Sequence, residues 1–245
     1  MNPLVSLWVA VGFLTRIPVG DPSRGGTREV KVGAAVPWFP VVGALIGVIQ
    51  GGVWWILAEQ GNPLVAAAVS TTVAVLVTGA FHHDGLADMA DAFGGGWTVE
   101  QRMEILKDSR LGTYGTSALV VAFLLEVSAL STFEPRDGVL ALLAMHVLGR
   151  TLSTAAMLVA PVAGDGLGAA YMRDLPRVAT AIVAVIAMIG AGAALGSDAW
   201  TIGPAVLAAI AVVVLAIRKI GGVVGDVLGA ISVVSGVIML VAASF

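Results

Sequence analysis

The chain has 245 residues, of which 58% are hydrophobic and only 12% are charged, about half the charged share of soluble domains. A water-soluble fold of this length would leave much of that apolar excess facing solvent, so the composition excludes an ordinary soluble protein and indicates one embedded in lipid. The net charge of −3 provides no general basic surface for nucleic acid, and the absence of cysteine excludes disulfides, thiolate metal sites and cysteine nucleophiles.

The first apolar run in chain order, Pro3–Leu14, is too short to cross a bilayer comfortably and is compatible with an interfacial helix, a re-entrant helix or a span. Seven later stretches are each long enough for a transmembrane helix. They cover residues 33–58, 62–81, 115–133, 138–160, 178–196, 199–217 and 226–244. The sequence therefore predicts an all-α polytopic membrane protein of about seven transmembrane helices, organised as one membrane-embedded domain over residues 1–245.

The connections between these spans differ in charge. The loops at 16–32, 82–114, 161–177 and 218–225 emerge on one predicted side with eleven lysines and arginines, whereas the other side has only Arg136. The eleven are Arg16, Arg24, Arg28, Lys31, Arg102, Lys107, Arg110, Arg173, Arg177, Arg218 and Lys219. The positive-inside rule places them in the cytoplasm. We therefore expect a multi-pass protein of the plasma (inner) membrane whose active site faces the cytoplasm.

The loop between the second and third predicted spans concentrates the polar chemistry. Asp84, Asp88 and Asp91 are spaced i, i+4, i+7, which places three carboxylates on one face of a helix. Three carboxylates this close repel one another unless a cation lies between them. Mg²⁺ is the expected cation, because it binds carboxylate oxygens and the oxygens of substrate phosphates. We predict a Mg²⁺ site here, with a solvated acidic helix face as the alternative. His82 or His83 is a candidate metal ligand or base, or else an amphipathic residue at the membrane interface.

A short amphipathic helix is predicted after these aspartates, because Thr98 opens a capping-box pattern. Its far end presents the four polar residues Lys107, Asp108, Ser109 and Arg110. Cations beside a carboxylate cluster can bind the phosphate oxygens that a metal leaves free. We therefore predict that this turn binds substrate, with a charged surface helix as the alternative.

Two further polar positions lie in or beside predicted spans. Arg150 is about 15 Å along its helix from the predicted cytoplasmic end, with His146 one turn deeper, and a functional role is the default for a charge at that depth. Glu126, in the preceding span, is the expected partner, and a structural ion pair is the alternative to substrate contact.

Asp226 follows a glycine-rich segment ending at Gly225, where backbone amides can approach a phosphate and the aspartate can join the metal ligands.

Five short motifs carry a resemblance to a known family. Residues 13–19 read FLTRIPV, residues 82–91 read HHDGLADMAD, residues 107–113 read KDSRLGT, residues 149–150 read GR, and residues 225–230 read GDVLGA. In these motifs, which are spread over nearly the whole chain, it resembles cobalamin synthase, also called adenosylcobinamide-GDP ribazoletransferase. Val224 departs from the pattern, which favours threonine, so a hydroxyl contact is in doubt at this position.

The resemblance implies two substrates, adenosylcobinamide-GDP and α-ribazole or its 5′-phosphate. The ribazole hydroxyl would attack the phosphorus nearer the corrinoid, GMP would leave, and Mg²⁺ would be the cofactor. The catalytic residues that it implies are His82, Asp84, Asp88, Asp91 and Arg150. The implied substrate-binding residues are Arg16, Lys107, Asp108, Ser109, Arg110 and Gly225. The implied metal ligands are Asp84, Asp88, Asp91 and Asp226.

Two other classes of protein remain as alternatives. A CDP-alcohol phosphotransferase also uses Mg²⁺ and several aspartates, but its motif has a longer spacing and an alanine-arginine after the first Asp-Gly, which this chain lacks. A secondary transporter is suggested by Arg150, Glu126 and His146 within spans, although no inverted repeat is visible. The sequence leaves the oligomeric state open, with a homo-oligomer as one option.

Overall fold

The structure is a computed structural model, and it describes residues 2–20 and 31–245. Arg24 and Arg28, which contribute to the predicted charge asymmetry, lie outside the described residues. The helices are α1 Pro3–Leu14, α2 Phe39–Ala58, α3 Pro63–Thr78, α4 Phe81–Gly95, α5 Val99–Ile105, α6 Thr113–Leu130, α7 Pro135–Val159, α8 Leu167–Arg173, α9 Arg177–Leu195, α10 Ile202–Ile220 and α11 Gly225–Ala242. Two 3₁₀ helices, Val32–Trp38 and Gly196–Thr201, precede α2 and α10. No β-strand occurs in the part of the chain that the structure describes, which confirms the predicted all-α class.

Five helical segments are long and apolar enough to cross a membrane, or six if the bent pair of α3 and α4 forms one span. The five are Val32–Ala58, Thr113–Leu130, Pro135–Val159, Arg177–Ile220 and Gly225–Ala242. Their outward faces carry large exposed apolar side chains. Leu124, Ile186 and Leu207, on three different helices, are each more than 60% exposed. Lipid is the environment that such faces require.

The segment made of α9 and α10 runs to the far end of the bundle and back, so that its two ends lie on the same side. As one straight helix its 44 residues would extend about 66 Å, twice the hydrocarbon thickness of a bilayer. Its first residue, Arg177, donates a hydrogen bond to the carbonyl of Leu158 at the end of α7. Just beyond its last residue, Val223 accepts a hydrogen bond of 3.0 Å from the N–H of Ala163, also just beyond α7. Both ends therefore meet the same end of α7, in agreement with the two spans predicted at 178–196 and 199–217.

The loops predicted to share one side meet at this end of the bundle. The Ala163 to Val223 hydrogen bond joins the connection before α9 to the connection after α10. Nζ of Lys219 donates a hydrogen bond of 2.8 Å to the carbonyl of Phe93, near the end of α4. We call this the polar end of the bundle. The structure thus brings together loops that are far apart in sequence and carry most of the positive charge.

A sharp turn separates α3 from α4. Gly79 and Ala80 both adopt left-handed backbone angles, with φ of 61° and 60°, and the two helix axes differ by 89°. A non-glycine residue in this region is strained, so the surrounding packing must hold Ala80 in place. Arg16 packs where a side chain on Gly79 would lie. These two residues turn α4 nearly perpendicular to α3, so α4 does not continue the preceding helix in line.

Close helix contacts hold the remaining helices around α7. Methyl groups built on Gly43 and Gly47 of α2 would lie 2.5 Å from the carbonyl of His146 and 2.7 Å from Cα of Leu143. A methyl on Gly149 would likewise lie 2.5 Å from the carbonyl of a residue on α11. Small residues let helix backbones approach each other in lipid, where burial from water gives no driving force between helices. These contacts make α7 the central helix, which places Arg150 inside the bundle.

Candidate active site

A cavity of about 570 Å³ opens at the polar end of the bundle, between the end of α7 and the start of α11. Six of the predicted site residues line it, together with side chains from α1, α2, α5 and α8. The six are His82, Asp84, Lys107, Arg150, Gly225 and Asp226. Residues from four separate sequence motifs therefore face one cavity of the size that small-molecule sites have.

Two of the carboxylates come together because α4 and α11 touch. A methyl on Gly85 would lie 2.7 Å from the carbonyl oxygen of Asp226, so only glycine permits this approach. One turn along α11, a methyl on Gly229 would lie 3.2 Å from the carbonyl oxygen of His82. The contact places Asp84, next to Gly85, and Asp226 in the wall of the same cavity.

Negative charge accumulates beside this contact. Burial and, after it, the nearby carboxylates of Asp84, Asp226 and Asp91 together raise the pKa of Asp88 from 3.8 to about 7. Within residues 2–20 and 31–245, no group of three or more acidic or histidine side chains is already arranged around one metal position. The arrangement fits Mg²⁺ bound in its usual way, by one or two carboxylates with water and substrate phosphates completing the octahedron.

Asp91 has partners other than a metal. Its two carboxylate oxygens accept hydrogen bonds of 2.8 Å and 2.9 Å from the N–H groups of Gly112 and Gly115, at the start of α6. Its side chain is buried, and methyl groups on either glycine would collide with it. A carboxylate at a helix N-terminus satisfies unpaired N–H groups and interacts favourably with the helix dipole. Asp91 therefore joins α4 to α6, although it shares a helix face with Asp84.

Arg150 is held by two histidines. Nη1 donates a hydrogen bond of 2.9 Å to Nδ1 of His146, and Nη2 donates a longer one of 3.4 Å to Nδ1 of His82. A guanidinium can only donate, so both Nδ1 atoms are acceptors and each neutral imidazole carries its proton on Nε2. Nε of Arg150 is buried and has no partner among the described residues. His82 thus offers a donor, Nε2–H, in the wall of the cavity.

The predicted ion pair between Arg150 and Glu126 is not present. Instead, Nε2 of His146 donates to Oε1 of Gln50, and Nε2 of Gln50 donates a hydrogen bond of 3.0 Å to Oε1 of Glu126. The hydroxyl of Thr71 donates to the same oxygen at 2.9 Å. Direct pairing was the alternative that the sequence analysis weighed against substrate contact, and it does not form because His146 and Gln50 connect the two charged groups.

Four predicted substrate-binding residues do not line the cavity. Asp108 and Arg110 form an ion pair in the turn after α5, where the Arg110 side chain is 88% exposed and the Asp108 side chain 33%. Ser109 between them is exposed. Arg16 is also exposed, and it packs against Gly79 at the turn between α3 and α4. Of the predicted residues 107–110, Lys107 does line the cavity. The capping box at Thr98 that starts α5 is formed as predicted.

Several residues at the site were missed by the sequence analysis. Gln50 and Thr71 belong to the polar chain behind Arg150, and a glutamine inside an apolar span was the available signal for the first. Asp165, before α8, is a further carboxylate in the cavity wall. An aromatic wall is formed by rings from four helices, and no regular spacing marked it. Its members are Phe13, Phe39, Phe81 and Tyr171.

Comparison with known proteins gives one consistent family. The family model for cobalamin-5-phosphate synthase matches residues 6–244. The adenosylcobinamide-GDP ribazoletransferase of Ralstonia pickettii is 42% identical over 159 residues, which cover 62% of this chain and 60% of the relative. The protein of the same name from Shewanella pealeana is 41% identical over 161 residues, covering 64% of this chain and 61% of the relative.

A third relative aligns over the full chain. The adenosylcobinamide-GDP ribazoletransferase of Bradyrhizobium diazoefficiens is 39% identical over 250 residues, covering 100% of this chain and 95% of the relative. The alignments with the first two relatives span about three-fifths of their length. No solved structure matches the chain. With a family model that covers nearly every residue and relatives near 40% identity, the chain belongs to the cobalamin-5-phosphate synthase family.

Proposed function

We propose that this chain is a Mg²⁺-dependent adenosylcobinamide-GDP ribazoletransferase. The observation that carries the proposal is the single cavity lined by Asp84, Asp226, Lys107 and Arg150, since two carboxylates and two cations are what a metal-bound diphosphate requires. The relatives that bear this name support the choice of substrates. In the proposed reaction a hydroxyl of α-ribazole forms a bond to the phosphorus nearer the corrinoid. The bridging P–O bond breaks, GMP leaves, and the hydroxyl proton is released.

The carboxylates at the contact of α4 and α11 would hold the metal. Asp84 and Asp226 line the cavity and are the direct candidates, and Asp88 adds negative charge next to them. When bound, Mg²⁺ stabilises charge on the phosphoryl oxygens as a Lewis acid. Asp91 is not among the proposed metal ligands, because both of its carboxylate oxygens already accept hydrogen bonds from N–H groups at the start of α6.

The cations and donors would orient the diphosphate. Arg150 is fixed by His146 and His82, so its guanidinium does not need to reorganise when an anion arrives. Lys107 is exposed at the cavity wall, and its flexible side chain can place its ammonium group against a phosphate in more than one position. The Nε2–H of His82 and the backbone N–H groups at the start of α11 add neutral donors. Phosphoryl transfer depends mainly on such positioning and charge neutralisation.

The experiment that tests this function is an assay of GMP release by protein purified in detergent. The protein is given adenosylcobinamide-GDP and α-ribazole together, and each substrate alone as a control. A transferase releases GMP only when both substrates are present. A secondary transporter produces none, because it breaks no P–O bond, and detergent micelles provide no gradient for it to use. Absence of GMP from a folded, monodisperse preparation would contradict the proposal.

A further inference from the structure

One wall of the cavity is aromatic. Phe13 of α1, Phe39 of α2, Phe81 of α4 and Tyr171 of α8 all line it. The ring of Phe13 stacks on that of Tyr171 with centroids 4.3 Å apart, and it meets the ring of Phe81 edge-on at 5.0 Å. Phe39 completes the group, 5.8 Å from both Phe13 and Tyr171. Such offset and edge-on pairs are the favourable aromatic geometries.

Close packing holds this wall in place. Phe39 and Tyr171 are each only 6% exposed. A methyl on Gly33 would lie 2.7 Å from the carbonyl oxygen of Tyr171, so the chain before α2 packs directly against α8. Phe81 differs, because it is 37% exposed. Phe13 is half-buried. The wall is therefore a pre-formed surface in which Phe81 is the most exposed ring.

The aromatic wall adjoins the polar residues. The ring of Phe81 meets that of His82 edge-on, with centroids 5.4 Å apart. His82 in turn accepts a hydrogen bond from Arg150. A ligand whose flat ring packs against the aromatic wall would thus place its neighbouring polar groups beside the cations proposed to bind the diphosphate.

We propose that the aromatic wall is the subsite for the benzimidazole base of α-ribazole. This inference rests on the proposed function, and it assigns one of the two substrates to a defined part of the cavity. The cavity of about 570 Å³ has the size of a site for a drug-sized molecule, which accommodates a nucleoside. A benzimidazole can present its apolar faces and the apolar edge of its benzene ring to the aromatic side chains.

Guanine fits the same wall less well. Its edge carries donors and acceptors that need partners once water is removed. Three of the four rings in the wall belong to phenylalanine and offer none. The attacking hydroxyl of α-ribazole lies on the ribose attached to the base, so a base against Phe81 places that ribose toward His82 and Arg150, where the proposed attack takes place.

The test is equilibrium binding of two probes, α-ribazole and GMP, to protein purified in detergent without the other substrate. The variants are Phe81→Leu and Phe13→Leu, which keep an apolar side chain and remove the stacking face. Phe81 is partly exposed, so its replacement leaves the fold intact even if Phe13→Leu does not fold. The matched control is Phe133→Leu, which lies between α6 and α7 and outside the cavity lining.

We expect α-ribazole to bind Phe81→Leu about 5- to 160-fold more weakly than the parent, the range that follows from loss of one base–aromatic stacking contact. GMP should bind both proteins equally, and Phe133→Leu should match the parent with both probes. The inference is overturned if α-ribazole does not bind the parent, if it binds the parent and the folded variants equally, or if only GMP is weakened. Transfer activity is a separate result: a parent that binds α-ribazole but releases no GMP contradicts the proposed function and leaves the subsite standing.

Discussion

Nη1 of Arg150 donates a hydrogen bond of 2.9 Å to Nδ1 of His146, one turn earlier on the same helix. This contact fixes the proton of His146 on Nε2, which in turn donates to Gln50. Gln50 then donates to Glu126. The orientation of a cation at the cavity therefore depends on side chains deep in the bundle that do not reach the cavity themselves.

We predict that Gln50→Leu lowers both stability and activity. The change leaves the Nε2–H of His146 unpaired and removes one of the two donors to Glu126. Unsatisfied buried groups of this kind cost roughly 1–3 kcal/mol, and Arg150 loses its fixed orientation. The free energy of unfolding and the rate of GMP release are measured beside Gln60→Leu, an exposed glutamine at the end of α2. Equal behaviour of the two variants would show that the polar chain does not position Arg150.

We predict that Arg150→Lys folds but loses GMP release by about 100-fold or more, the usual effect of removing a preorganised donor. Lysine keeps the charge, but it lacks the planar fork that reaches His146 and His82 together. The double variant Arg150→Met with Glu126→Gln tests the alternative. Because the structure places Gln50 between the two charged residues, the double variant should stay inactive. Recovery of folding and activity in it would mean that Arg150 only compensates the charge of Glu126.

We predict that Asp91→Asn reduces stability without changing the response to Mg²⁺. Asparagine keeps one acceptor for the N–H groups of Gly112 and Gly115 and loses the charge at the start of α6. Caps of this kind contribute about 0.5–2 kcal/mol. Thermal unfolding and a Mg²⁺ titration of activity are compared with those of Asp137→Asn, an exposed aspartate in the first turn of α7. A shifted Mg²⁺ midpoint with unchanged stability would show instead that Asp91 binds the metal.

We predict that the polar end of the bundle faces the cytoplasm, since most lysines and arginines belong to its loops. The chain has no cysteine, so single cysteines can be introduced as labels without background. Trp97, which is 86% exposed, marks the polar end, and Gln60 marks the other end. In intact cells an impermeant thiol reagent should label Gln60→Cys and spare Trp97→Cys. The opposite pattern would reverse the orientation.

Helical spacing predicted which residues share a face, but it could not predict what each face meets. Asp84, Asp88 and Asp91 do lie on one side of α4, yet the turn at Gly79 and Ala80 and the contact with α6 give the first and the last different environments. The turn depends on two left-handed residues, and the sequence offered no signal for the second, because alanine rarely adopts that conformation.

The same limit applies to features that depend on contacts between segments far apart in the sequence. Asp84, Arg150 and Asp226 line one cavity as predicted, because α11 packs against both α4 and α7 and the cavity extends down α7 as far as Arg150. The aromatic wall and the position of Gln50 depend on how separate helices pack, and neither has a local spacing that could reveal it. Asp108 and Arg110 instead pair with each other, since two residues in one turn are already within reach.

The most direct test of magnesium-dependent transfer is a Mg²⁺ titration of GMP release by the purified chain and by Asp84→Asn, with adenosylcobinamide-GDP and α-ribazole both present. Asparagine keeps the volume and removes one carboxylate from the cavity wall, so the variant should fold. We expect the parent to release GMP only when Mg²⁺ is supplied, and Asp84→Asn to stay inactive or to require far more Mg²⁺. Full activity of Asp84→Asn at the same Mg²⁺ midpoint, or GMP release by the parent in excess chelator, would contradict a metal site at the contact of α4 and α11.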